Sequence, residues 1–221
     1  MEKKQKIALV LNIVAFLMAV AGSILCFCEV YVVYTKPIEH GIGFLKFFTL
    51  QSNIFAGITA LIYIIFSIIE QKTQKHIPFV VRMLRYIATI DLILTFLVVA
   101  LFLGFLVEEG YFSLYVNCNF FFHFAIPVIS TISFIFFEEM PKLKLKHTFI
   151  ALIHVFLYSI FYLIVVLTHF KDGAVDLVYD WYAFAQRGIA IAFVCAAVVF
   201  GVSYLTSYLL YKVNNKRASD N

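Results

Sequence analysis

Six apolar stretches, each long enough to cross a bilayer, dominate this 221-residue chain. A membrane-spanning helix needs about 20 mostly apolar residues. The stretches are Ile7–Tyr34, Phe44–Ile69, Leu84–Val107, Cys118–Phe137, Thr148–Thr168 and Phe184–Tyr211. The polar segments between them, such as TKPIEHGIG and EEMPKLKLKH, are only about 8–16 residues long, too short for a soluble domain. Composition agrees, with 63% hydrophobic and 14% charged residues, where a soluble domain runs at about 45–50% and about 25%. These departures exclude an ordinary soluble enzyme, a disordered chain and a nucleic-acid binder. The net charge of +4 is too small to argue for a polyanion partner. The expected fold is all-α: one polytopic membrane domain of six transmembrane helices.

Direction follows from the Lys/Arg bias of short loops. The N-terminus, the second and fourth loops and the C-terminus hold 13 of the 17 basic residues. The opposite side holds Lys36, Lys46, Lys171 and Arg187, with most loop acids. Both termini are therefore expected to be cytoplasmic, and the Lys-rich inner segments are read as solvated faces that set topology. Tyr31, Tyr34, Tyr111, Tyr179, Trp181 and Tyr182 fall at the outer boundary, where amphipathic rings prefer to lie. The first span also resembles a signal peptide, with Ala19-Val20-Ala21 as a cleavage site, but its apolar run continues beyond the length of a signal h-region. The abundance of Ile, Phe and Lys points to a bacterial plasma membrane. All four cysteines lie inside apolar stretches and none forms a C-x-x-C pair, so no metal site, disulfide framework or cofactor is indicated.

Polar residues at membrane depth are expensive and normally face the bundle interior or a cavity. With a rise of about 1.5 Å per residue, Thr49 in the second span lies about 7–8 Å below the outer boundary and His123 in the fourth about 8–9 Å. Thr49, Ser52, Asn53 and Ala56 share one helix face, as do Asn119, His123, Pro127 and Ser130. Gln186 and Arg187 enter the sixth span from the same side, and Glu29 approaches it from the first. A deeper layer contains Asp91 and Thr95 on the third span and His154 and Tyr158 on the fifth. There Asp91 and His154 can form a charge-assisted pair that ties helices together. Pro127 is expected to kink the fourth span.

A threonine becomes a nucleophile when a base takes its proton, and histidine is the usual base. Gln51, Ser52, Asn53 and Asn119 are candidates to bind substrate or hold an oxyanion. Glu29 is a candidate to stabilise the histidine's charged form, and Gln186 and Arg187 to hold a head group. A site this shallow suits an amphipathic ester whose polar bond lies near the headgroups.

The same residues carry a family resemblance. Leu45-Lys46-Phe47-Phe48-Thr49 resembles the motif around the nucleophilic threonine of the androgen-induced and androgen-dependent membrane hydrolases. Phe122-His123-Phe124-Ala125-Ile126-Pro127 resembles their histidine motif. Those proteins are multi-span threonine hydrolases of fatty acid esters of hydroxy fatty acids. The resemblance implies Thr49 as nucleophile and His123 as its base. The longer Phe48-Thr49-Leu50-Gln51-Ser52-Asn53 is more similar to bacterial six-span members of that superfamily. Two functional expectations follow, with membrane lipids as partners in both. One is a threonine hydrolase acting on an ester lipid. The other is a non-enzymatic carrier or binding protein that uses the same polar layer as a ligand pocket.

Overall fold

The computed structural model describes residues 3–27, 45–105, 107, 110–171, 173–186 and 188–220. They form six helices long and apolar enough to cross a membrane, with no strand among the described residues. We number these α1 (Lys3–Phe27), α2 (Phe48–Thr73), α3 (Phe79–Leu101), α4 (Cys118–Phe137), α5 (Lys146–Thr168) and α6 (Ile189–Asp220). The apolar runs locate every helix, but several ends differ from expectation for local reasons. α2 continues through the polar Glu70-Gln71-Lys72-Thr73, and Gln74 stops it in a left-handed conformation (φ 59°), its N–H bonding to the Glu70 carbonyl. α3 starts directly after Pro78, five residues before Leu84. Arg82 thereby moves from an expected loop into the first turn of the helix, and Arg85, at the edge of the expected span, is fully buried. At the other end, Phe184, Ala185 and Gln186 stay outside α6 and belong to a hydrogen-bonded loop.

α1 and α2 meet along a seam of small side chains. The buried residues of α1 are Ala8, Asn12, Ala15, Ala19, Gly22 and Cys26, recurring every three or four positions. α2 answers with Gly57, flanked by the buried Ala56 and Ala60. Lipid tails are as apolar as the helices, so close packing of small residues, rather than hydrophobic exclusion, drives such contacts. A Cβ added at Gly57 would lie 2.7 Å from the Ala19 Cβ. Both atoms are fixed to backbone, so Gly57→Ala must push the two helices apart. We expect a loss of about 1–3 kcal/mol in detergent unfolding titrations. Gly201→Ala, where nothing lies within 4 Å of the new carbon, should leave the midpoint unchanged.

Proline shapes α4. Pro127 has no N–H to offer the carbonyl four residues back. The chain widens into a π turn over Phe121–Ala125, and the Ile126 N–H reaches five residues back to the Phe121 carbonyl. A second π turn covers Ser133–Phe137, where the Glu138 N–H bonds to the Ser133 carbonyl. The expected distortion below His123 is thus a widened turn that contains His123 itself. Single π turns inside α-helices frequently mark functional positions.

At the end of the bundle that holds the start of α1, a polar cluster joins four helices. Arg85 and Glu138 form an ion pair at 3.0 Å with side-chain exposures of 0% and 3%. Asn12 Nδ2 donates to Glu138 Oε1 at 2.9 Å, and Ser133 Oγ donates to the same oxygen at 2.8 Å. Arg217 of α6 donates to the carbonyls of Phe134 and Glu138. Asn12, alone and polar within a long apolar run, is the sequence signal for this cluster.

Candidate functional site

The start of α2 organises the opposite end. Its first backbone N–H groups have no helical partner, and the Phe47 side chain provides no cap. Tyr182, in the loop between α5 and α6, accepts the Phe48 N–H at 2.8 Å instead. Tyr158 on α5 donates to the Lys46 carbonyl at 2.7 Å, and the Trp181 indole N–H donates to Tyr158 at 3.0 Å. Burial pushes the Tyr182 phenol above its ordinary pKa, so it stays protonated. The loop is itself anchored on Asp180, which is fully buried. That carboxylate accepts the Phe184 and Ala185 N–H groups at 3.1 and 2.9 Å and the Tyr162 hydroxyl. Gln186 Nε2 donates to Asp180 at 3.3 Å and to the Val175 carbonyl at 2.7 Å, so this residue braces the loop.

Beneath this loop lies a cavity of about 320 Å³ between α3, α5 and α6. Its walls are largely apolar, with Leu94, Val98, Val155, Leu163, Ala196 and Phe200 among them. Thr49 lines it, together with Thr95, Tyr158 and Tyr182. Among the described residues Thr49 Oγ1 has no hydrogen-bond partner. Its carbonyl accepts both Ser52 Oγ at 3.0 Å and Asn53 Nδ2 at 2.7 Å.

The neighbours of Thr49 divide between two sides. Ser52 hydrogen-bonds to Thr95 of α3 at 3.1 Å, toward the cavity side. Asn53 Nδ2 donates to the Phe122 carbonyl of α4 at 3.2 Å and so reaches the residue next to His123. Its Oδ1 is buried without a partner. Gln51 Nε2 donates to the Leu45 carbonyl at 2.7 Å, closing the chain onto the start of the helix. Asn119 is half-buried in the first turn of α4. Glu29 and Arg187 lie outside the described residues.

His123 is 7% exposed. Its Nδ1 lies 2.7 Å from the Leu114 carbonyl, and a carbonyl can only accept, so Nδ1 carries the proton. In the neutral ring Nε2 is then left with the free lone pair. Tyr115 packs edge-on against the ring at 6.4 Å. No hydrogen bond joins Thr49 to His123 among the described residues, and His123 does not line the cavity. The structure therefore links the two motifs through Asn53 and the Phe122 carbonyl, not through the reacting groups.

The deeper pair forms as the matched depths imply. His154 Nδ1 lies 2.6 Å from Asp91 Oδ2, with Asp91 fully buried and its Oδ1 without a partner. Phe48 and Phe55 of α2 pack on the His154 ring at 5.4 and 5.2 Å. The pair joins α3 to α5 while the two phenylalanines hold α2 against it. Comparison with protein-family models, curated proteins and solved structures finds no match to this chain.

Proposed function

We propose that this protein is a membrane-embedded lipid site that takes the hydrocarbon chain of an amphipathic lipid ester into the cavity beneath the α5–α6 loop. One observation carries the reading: a largely apolar cavity of about 320 Å³ is bordered by Thr49, whose hydroxyl has no partner among the described residues. Ligand pockets are typically apolar with a few placed polar groups, and this volume lies at the lower end of their range. An alkyl chain matches the walls, and the ester end would meet Thr49, Tyr158 and Tyr182. The entrance lies among helices that leave large side chains exposed, including Phe156, Ile160 and Phe193, which suits entry from the bilayer.

The test is cross-linking with a photoreactive fatty acyl ester in vesicles, followed by peptide mapping. Labelling should concentrate on α5 and α6, and Ala196→Trp, which fills the cavity, should reduce it about tenfold. Equal labelling of Ala196→Trp and the parent protein would remove this assignment.

A second reading, hydrolysis of the bound ester, is favoured by the geometry at His123. A base needs its other ring nitrogen held so that one lone pair is available, and the Leu114 carbonyl supplies that constraint. In this reading Thr49 attacks the ester carbonyl, His123 Nε2 accepts its proton, and Gln51, whose Nε2 keeps one N–H beyond its bond to the Leu45 carbonyl, stabilises the oxyanion. The proton then passes from His123 to the departing alcohol, and a water deprotonated by the same base frees the acid from Thr49. The motif resemblance supports the same pair of residues. A resting separation that tightens when substrate binds is compatible with such catalysis.

A further inference from the structure

At the end of the bundle opposite Thr49, a cleft of about 870 Å³ opens between the start of α1, the α2–α3 loop, the segment after α4 and the end of α6. We infer that this cleft is a binding site for a phosphate-bearing anion. Three permanent cations line it, Lys4, Arg82 and Arg217, with His76 beside them and Glu139 as the carboxylate in the wall. No ion pair joins Lys4, Arg82 or Arg217 to a carboxylate among the described residues, although Glu138 and Glu139 favour the charge of Arg217 from a longer distance.

The two arginines are held in place. Arg82 is 9% exposed and uses Nε to donate to the Ile77 carbonyl at 3.2 Å, which leaves its terminal nitrogens uncommitted. Arg217 is anchored on the Phe134 and Glu138 carbonyls at 3.1 and 3.3 Å. A guanidinium fixed before binding loses less rotamer freedom when its partner arrives. The cations approach from three helices around one space. That arrangement matches a tetrahedral phosphate, which offers oxygens in several directions, better than a planar carboxylate, which takes one fork from one side.

The apolar part of the wall, Ile77, Phe79, Met140 and Pro141, suits the glycerol and upper chain of a phospholipid. The Lys/Arg bias of the sequence places this end at the cytoplasmic face, where anionic headgroups concentrate. A soluble phosphate ester has the same recognising chemistry, so the experiment separates the two sources. An occupant would touch α1, α3 and α6 together and so stabilise the bundle, because a ligand that binds only the folded state raises its stability.

The full-length protein is placed in phosphatidylcholine nanodiscs with or without phosphatidylglycerol, and separately in detergent with glycerol phosphate. Midpoint of thermal unfolding and lipid retention in native mass spectra are read. Phosphatidylglycerol should raise the midpoint and be retained at least tenfold over phosphatidylcholine. Arg82→Gln should remove that preference, and Lys4→Gln should weaken it. Glycerol phosphate binding with the same dependence on Arg82, and no lipid preference, would keep the phosphate site and assign a soluble ligand. If neither probe is preferred over phosphatidylcholine or buffer, or if both variants bind like the parent, the inference is wrong. Lys4 is exposed, so Lys4→Gln retains its folded state and decides the matter should Arg82→Gln unfold.

Discussion

Arg85→Ala is expected to lower the stability of the bundle by about 3–5 kcal/mol, the usual effect of removing one partner from a buried ion pair. Arg85 gives Glu138 two donor nitrogens, Nε at 3.3 Å and Nη2 at 3.0 Å. After truncation the carboxylate would keep only Asn12 and Ser133, both neutral donors. The position offers little water in compensation, since Glu138 is 3% exposed. The damage should also spread, because Asn12 ties this carboxylate to α1 and Arg217 ties the same residue's carbonyl to α6. Detergent unfolding titrations measure the loss. Pairing the change with Glu138→Gln should recover a good part of it, since the cost is the unpaired charge and not the missing side-chain volume. A loss below about 1 kcal/mol, with no recovery in the double variant, would mean that water from the neighbouring cleft already solvates the pair.

That cluster also shows where sequence reasoning stops. Hydropathy sums a window and treats each charge as a cost, so Arg82 reads as a loop and Arg85 as the edge of a span. The burial of Arg85 depends on Glu138, 53 residues away, which no local sum contains. The apolar runs were sufficient for helix number because each run must satisfy its backbone internally within the bilayer. Depth was legible only in part, since counting residues along an axis ignores the tilt and offset of neighbouring helices. The Asp91–His154 bond follows from matched depths, whereas Thr95 and Tyr158, read as part of the same deeper layer, instead meet Ser52 and the Lys46 carbonyl near the start of α2.

Rotation about the helix axis was not legible. Thr49 and Asn53 share a face by spacing, yet Thr49 borders the cavity while Asn53 reaches α4. The π turn adds to this difficulty, because an extra residue in one turn shifts the direction of every side chain after it relative to regular α-helical spacing. His123 lies within such a turn. Gln186 illustrates a different limit: its partners, Val175 and Asp180, belong to an irregular loop with no periodicity to read.

The hydrolytic reading makes the largest functional prediction. Thr49→Ala should abolish labelling by a fluorophosphonate probe and reduce ester turnover by three orders of magnitude or more, on the order of what loss of a nucleophile costs other covalent hydrolases. His123→Asn should reduce turnover comparably, because the nucleophile and its base act as one unit. The double variant should then be no slower than either single one. Thr49→Ala should not disturb the fold: the Thr49 carbonyl, which holds Ser52 and Asn53, survives in alanine, and its hydroxyl has no partner to lose among the described residues. Acyl cross-linking in the cavity should persist in Thr49→Ala, because the walls remain intact. Labelling and turnover that survive Thr49→Ala would eliminate the nucleophile while leaving a lipid-binding cavity, and loss of cross-linking in Ala196→Trp alone would then identify binding as the activity of this site. Turnover lost in Thr49→Ala but kept in His123→Asn would separate the two motifs and require a base from the cavity side.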